Sequence, residues 1–158
     1  MKRFIISIDA GTTSVRSVLF NIKGKPIFSS QKEFKQYFPK NGWVEHDPKE
    51  IWLTTIKALK NVITKASKLN GKIISIGITN QRETTIIWNK KTGKPVYNAI
   101  VWQDRRTEKY CNKLKNKNYE KIFRKKTGLF IDPYFSATKI KWILDNVPET
   151  KSLIKSNN

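Results

Sequence analysis

Within six residues, Asp9-Ala10-Gly11-Thr12-Thr13-Ser14 places a carboxylate, a glycine and three hydroxyls in succession, with Arg16 two residues further on. A carboxylate at the end of a first strand can hold Mg2+, directly or through water. Gly11 lets the backbone come close to a phosphate, and the N–H and hydroxyl groups of Thr12, Thr13 and Ser14 can then wrap its oxygens. The same residue types also favour an ordinary polar hairpin turn, so on composition alone both readings stand. A second stretch, Asn80-Gln81-Arg82-Glu83, leaves an Ile-rich run and enters Thr84-Thr85. Arg82 and Glu83 offer donors and an acceptor suited to a polyhydroxylated ligand. The plainer reading is a surface turn carrying an ion pair, although neighbours in extended chain point to opposite faces.

A third stretch is Ile100-Val101-Trp102-Gln103-Asp104-Arg105-Arg106-Thr107. Trp102 can stack on the apolar face of a ligand while its indole N–H donates, or it can simply pack in a core. Asp104 suits the N-cap of a following helix, with Thr107 at N3. Tyr134, after Ile131-Asp132-Pro133, can aim its hydroxyl into a pocket or pack at a helix start. His46 has no metal-ligating partners in the sequence, which favours a structural or loop role. Cys111 lies on a predicted helix with no nearby His, as an inert core thiol would.

The elements that would position these residues are readable from periodicity. Phe4 to Ile8 and Val15 to Ile22 are apolar, β-branched runs on either side of the polar turn, and Ile27 to Phe34 predicts a third strand after a turn at Asn21 to Pro26. A strand meander of this kind differs from P-loop and dinucleotide-binding units, whose Gly-rich turn leads directly into a helix. Asn41 to His46 reads as loop. Asp47 as N-cap, Pro48 at N1 and Glu50 at N3 form a capping box for a helix whose apolar residues run from Ile51 to Leu69, with Gly71 ending it. Lys72 to Thr79 reads as a largely buried strand and Thr84 to Trp88 as another, with a turn at Asn89 to Gly93. Helices are predicted over Asp104 to Lys115, Tyr119 to Lys126 with Gly128 as its stop, and Tyr134 to Asn146, followed by a polar tail from Lys151 to Asn158. Strands alternating with helices give an α/β layering.

The chain has 158 residues, enough to bury a core, and one cysteine, which excludes a disulfide framework and any multi-Cys metal site. No apolar run reaches membrane-span length, and the N-terminus lacks a signal-peptide pattern, so the expected location is cytoplasmic. The formal charge of +20 points first to nucleic acid. Its make-up weakens that: 26 Lys stand against 6 Arg, beside 20 Ile and 13 Asn, the bias of A/T-rich codons. A selected nucleic-acid surface would favour Arg. Binding to nucleic acid is therefore the lowest-ranked reading.

Five segments carry a family resemblance. They are Ser7 to Ser14 with Arg16, Pro39-Lys40-Asn41-Gly42-Trp43-Val44-Glu45-His46-Asp47-Pro48, Ile76 to Thr85, Asn98 to Thr107, and Thr127 to Lys139. Together they resemble the FGGY family of carbohydrate kinases, from the first strand to about Pro148. The Gly-Trp-Val-Glu-His-Asp-Pro and Asn-Gln-Arg-Glu-Thr-Thr blocks point to its glycerol-phosphorylating branch. The resemblance implies an actin-like, ribonuclease-H-like ATPase fold, of which residues 1–158 would be a partial first domain: a mixed sheet opened by an N-terminal strand meander, with helices packed on it. It implies that Asp9 positions Mg2+, that Thr12, Thr13 and Ser14 contact nucleotide phosphates, and that Arg16 lies near them. It also implies that Arg82, Glu83 and Tyr134 hydrogen-bond the hydroxyls of glycerol, and that Trp102 packs on its carbon backbone. The implied reaction moves the γ-phosphoryl group of ATP to a terminal hydroxyl, giving sn-glycerol 3-phosphate.

Two departures accompany the resemblance. Ala10 stands where many members carry Gln, and members are several times longer than this chain. The family's general-base Asp and its second domain would lie beyond residue 158, so no catalytic base is assigned within the chain, and the 158 residues alone are expected to be inactive. Possible partners besides glycerol and MgATP are a second copy of the chain or a separately encoded C-terminal part. The alternative readings are a non-catalytic remnant or glycerol- or phosphate-binding fragment, and, behind it, another FGGY sugar kinase. A partial domain should also leave strand edges and an apolar face uncovered.

Overall fold

The structure, a computed structural model, describes residues 1–156; Asn157 and Asn158, the end of the polar tail, lie outside the described residues. In chain order the elements are β1 (Lys2–Ala10), β2 (Ser14–Asn21), β3 (Pro26–Glu33), β4 (Glu45–His46), α1 (Pro48–Lys68), β5 (Gly71–Thr79), β6 (Ala99–Ile100), α2 (Glu108–Asn116), α3 (Glu120–Thr127), α4 (Ser136–Asn146) and α5 (Pro148–Lys155). They form two compact units, one of residues 1–36 and 47–81, the other of residues 37–46 and 82–158.

The first unit is a four-stranded sheet in the order β3-β2-β1-β5, covered on one face by α1. β1, β2 and β3 are an antiparallel meander, and β5 pairs with β1 in parallel. A parallel neighbour requires a crossover, which α1 supplies. Alternation along the strands puts Phe4, Ile6 and Ile8 of β1, and Val15 and Leu19 of β2, into one core with Phe34. The helix meets them with Thr54, Ala58, Val62 and Ala66, a buried stripe repeating every four residues. The small residues in that stripe allow a close approach to the sheet.

The start of α1 is half of the predicted capping box. Asp47 accepts from the Lys49 N–H at 2.8 Å, but the Glu50 carboxylate does not return to Asp47; it accepts from the Lys35 N–H at 3.1 Å. Glu50 therefore ties the chain leaving β3 to the first turn of the helix. At the other end Asn70, at φ 50°, takes the left-handed position expected of Gly71. Gly71 opens β5 instead, where a Cβ would run into the Phe4 ring.

The expectation of a largely buried strand at residues 72–79 is not met. Ile76 and Ile78 stand opposite Ile6 and Ile8 in parallel register, yet they are 47% and 74% exposed against 0% and 4%. The reason is position: β5 is an edge strand, and α1 lies mainly over β2 and β3.

In the second unit β4 and β6 pair antiparallel, Glu45 opposite Ile100 and His46 opposite Ala99, so part of the expected loop at 41–46 is a short strand. The predicted strand at 84–88 reduces to isolated bridges, Thr85 with Ile100 and Trp88 with Pro95. α2 starts four residues later than predicted, because Asp104 is not its cap. Asp104 is buried and accepts instead from the Val44 N–H at 2.7 Å and from the Arg106 N–H at 2.8 Å. Gly128, at φ 75°, ends α3 as expected. α4 begins at Ser136 rather than Tyr134, and α5, with Pro148 in its first turn, takes up most of the stretch read as a polar tail.

This unit contains a buried charged cluster. The Arg106 guanidinium, fully buried, sits 2.7 Å from Glu45 and 2.9 Å from Asp104. It also lies 3.9 Å above the Trp43 ring and 4.6 Å from that of Trp142. Tyr97 and Asn98 donate to Glu45 at 2.7 and 2.9 Å. Burial alone would raise the Glu45 pKa, but these hydrogen bonds and the Arg106 charge bring it below the ordinary value. His46 and Cys111 are both buried in this unit, and burial pushes the Cys111 thiol up. No helix among the described residues is long and apolar enough to cross a membrane.

Candidate functional site

The polar turn of the first unit lies between β1 and β2. Asp9 stands opposite Arg16 in the antiparallel register, and the Gly11 N–H donates to the Ser14 carbonyl at 3.0 Å, leaving Thr12 and Thr13 at the tip. A Cβ at Gly11 would sit 3.0 Å from that same carbonyl, tighter than ordinary contact, so a side chain there would press on the turn. Asp9 and Arg16 are exposed. Their neighbourhood is braced by Gln31 of β3, which stands directly opposite Arg16. Gln31 accepts from Arg16 Nε at 3.0 Å and donates to Ser14 Oγ at 2.9 Å. The sequence reading missed Gln31; only the β2–β3 register brings it to the turn.

A second constellation lies wholly within the other unit. Trp102 and Tyr134 meet edge to face, ring centroids 5.9 Å apart, and Tyr134 in turn meets Phe135 at 5.1 Å. Trp102 is fixed by its main chain, whose N–H donates to Thr84 Oγ1 at 3.3 Å. The Tyr134 N–H donates to Asp132 Oδ1 at 2.8 Å, a turn that orients the ring before α4 begins. Glu83 joins them from a distant part of the chain. Its Oε2 accepts from both the N–H and the hydroxyl of Ser136, each at 2.8 Å, at the first turn of α4. This is the favoured place for a carboxylate, against the positive end of the helix dipole.

Glu83 has φ 63°, a left-handed conformation that costs a non-glycine residue of order 1 kcal/mol or more. Such strain tends to accompany functional positions. Arg82, one residue earlier, is exposed. An apolar cavity of about 280 Å3, walled by Leu114, Phe123, Phe130 and Phe135, reaches Glu83 and Ser136 from the α3 side.

The structure thus gathers Glu83, Trp102 and Tyr134 in one place. It also adds two residues that the sequence reading passed over, Ser136 and Lys139. Lys139 is fully buried, and its ammonium donates to the Glu83 carbonyl at 3.0 Å and to the Tyr134 carbonyl. Burial lowers its pKa to about 8, against the opposing pull of the Glu83, Asp104 and Asp132 carboxylates. A lysine in a chain with 26 of them gave no signal by itself. Its place on the buried stripe of α4 with Ile143, at four-residue spacing, was the available clue.

Comparison with known proteins assigns these geometries to a family. The sequence profile of the N-terminal domain of the FGGY family of carbohydrate kinases matches residues 4–156. The chain belongs to the FGGY family. Its relatives include glycerol kinases of Geobacillus sp. (strain WCH70), 57% identical over 93% of this chain, and of Bacillus velezensis, 54% identical over all of it. Among solved structures, the Plasmodium falciparum glycerol kinase with ADP superposes with a TM-score of 0.92 at 40% identity, covering 99% of this chain and 31% of that one. A gluconate kinase of Lactobacillus acidophilus gives 0.81 at 28% identity, covering 92% of this chain and 29% of that one. The actin-like α/β fold implied by the motifs is therefore the fold of this FGGY chain. The chain spans about 30% of the length of the curated relatives, 30% of the Geobacillus kinase and 32% of the Bacillus one.

Proposed function

We propose that this FGGY chain is the N-terminal part of an ATP-dependent glycerol kinase, and that its two units belong to one N-terminal kinase domain. The observation that carries the reading is the meeting of Glu83, Trp102 and Tyr134 within the second unit. Two hydrogen bonds from Ser136 anchor Glu83 Oε2 and leave Oε1 as an acceptor for a ligand hydroxyl. Trp102 offers an aromatic wall for C–H groups, and the Tyr134 hydroxyl and the exposed Arg82 guanidinium supply further polar contacts. A carboxylate and a phenol beside an aromatic wall match a small polyol, whose hydroxyls alternate with short apolar segments, and Arg82, next in sequence to Glu83, would add a guanidinium to them.

On this reading the Asp9–Arg16 turn serves the nucleotide. Thr12, Thr13 and Ser14 present N–H and hydroxyl donors to phosphate oxygens, and Arg16 adds charge. Mg2+ fits the donor chemistry at Asp9: a single exposed hard carboxylate beside a phosphate turn is the protein share that Mg2+ uses, with waters and phosphates completing its shell. Bound there, the ion would neutralise charge on the transferring phosphoryl group. What these residues do is bind and orient the two substrates, the larger part of catalysis in phosphoryl transfer. The general base is not assigned to any residue of this chain, and the proposed location is cytoplasmic.

The test is calorimetry of the chain with glycerol. Saturable binding that Glu83→Ala abolishes supports the reading; no heat from a folded chain refutes it. With MgATP and glycerol together, the 158-residue chain is expected to form no glycerol 3-phosphate.

A further inference from the structure

Of the 26 lysines in the chain, Lys139 is the one that is buried. The codon drift that scatters lysine over indifferent surface positions does not account for a lysine with 0% exposure. A Leu or Met would fill the same space without carrying an ammonium into the interior, where a charge is costly. What the ammonium has that those residues lack is its set of donors, and two of them are spent on the Glu83 and Tyr134 carbonyls, 56 and 5 residues away in sequence.

We infer that Lys139 is a positioning residue that clamps the main chain of Glu83 to that of Tyr134, holding Glu83 in its left-handed conformation with its carboxylate on Ser136. The functional meaning of the clamp rests on the polyol-binding reading above. The left-handed backbone at Glu83 is unfavourable for a residue with a Cβ and persists only where its surroundings over-determine it. Two restraints do so. Ser136 fixes the side chain from the N-terminus of α4, and Lys139, one turn further along the same helix, fixes the carbonyl. The same ammonium reaches the carbonyl of Tyr134, so both proposed polyol ligands are referenced to one buried atom. The groups facing it are the Glu83, Asp104 and Asp132 carboxylates, the Cys111 thiol and the Tyr134 ring, 5.9 Å from Nζ. Lys139 is itself fully buried with its ammonium on the Glu83 and Tyr134 carbonyls, so it acts through those two residues rather than on the ligand.

The test compares the full chain with Lys139→Met by heteronuclear NMR, reading the Glu83 Cα shift and HN–Hα coupling, the melting temperature, and glycerol affinity by shift titration. The expected result is a left-handed Glu83 in the parent, loss of that signature in Lys139→Met, at least tenfold weaker glycerol binding, and a melting temperature that does not fall. A Glu83 that stays left-handed in the variant overturns the inference, as does a fall in melting temperature with Glu83 unmoved, which would mark Lys139 as packing only. If the parent shows no glycerol-induced shifts, the polyol reading fails, and the clamp is decided by the Glu83 signature alone. If Lys139→Met does not fold, the decision moves to the parent: a slowly exchanging Lys139 ammonium, scalar-coupled across hydrogen bonds to the Glu83 and Tyr134 carbonyl carbons, supports the clamp, and its absence overturns it.

Discussion

A buried ammonium makes Lys139 a residue whose cost is readable in pH. Its folded pKa, about 8, lies below the 10.5 of a free lysine. Below pH 8 it is charged in both folded and unfolded states, and the full burial penalty is present. Between pH 8 and 10.5 the folded chain releases the proton first, so the unfolded state binds more protons and stability rises with pH. The full gain is about 3 kcal/mol at 1.36 kcal/mol per pKa unit. Tyr97 works against it at the upper end, since burial and the Glu45 carboxylate hold its pKa above the ordinary value. The difference between parent and Lys139→Met, followed by denaturant melts from pH 7 to 10.5, isolates the lysine: the parent gains stability relative to the variant as pH rises. At this scale the sequence spoke through residue type and order. The Asp9–Ser14 turn, Glu83, Trp102 and Tyr134 stand out because they are dense in donors, acceptors and rings. Gln31 and Ser136 were illegible because their roles depend on partners 15 and 53 residues away, and Lys139 offered only its place on the buried stripe of α4.

The elements divide by how local their causes are. The β1–β2 hairpin and α1 were legible, since period-two and period-3.6 patterns with strong turn and cap residues define them within a few positions. Asp47 can be tested directly: Asp47→Ala removes the acceptor of the Lys49 N–H and should lower stability by about 1 kcal/mol, read in a denaturant melt. The capping box, by contrast, was only half legible, because Glu50 prefers the Lys35 N–H from another segment. The start of α2 was misread for a similar reason. Asp104 has the residue type of a cap, but the buried Arg106 guanidinium claims both of its oxygens. The strand at 84–88 failed because Thr85 and Trp88 form isolated bridges rather than a ladder. β5 has the right pattern for a strand, but a pattern of isoleucines does not reveal whether a neighbour covers it.

For the whole molecule, the basic charge seen first in composition takes on a location. The charge of +20 is carried mostly by exposed lysines, and one of the exposed apolar surfaces lies on β5, where Ile74, Ile76 and Ile78 are 45%, 47% and 74% exposed on a strand that is a sheet edge among the described residues. An edge strand of this kind invites pairing with other chains. Replacing Ile78 with Lys should reduce concentration-dependent association in sedimentation velocity with little loss of stability, because the side chain buries little. Equal association of the variant would place the sticky surface elsewhere. The α/β class and the family were legible across nearly the whole chain, because five motifs in order constrain the fold far more than any element does.

The central claim is that Glu83, Trp102 and Tyr134 form a glycerol site, and its most direct measurement is a shift titration of the labelled 158-residue chain with glycerol, gluconate and xylulose in parallel. The account predicts saturable shifts with glycerol, centred on the Glu83 amide, the Trp102 indole and the Tyr134 ring, and none of comparable size with the other two. Shifts that are absent, scattered over the surface, or larger with gluconate or xylulose would contradict it.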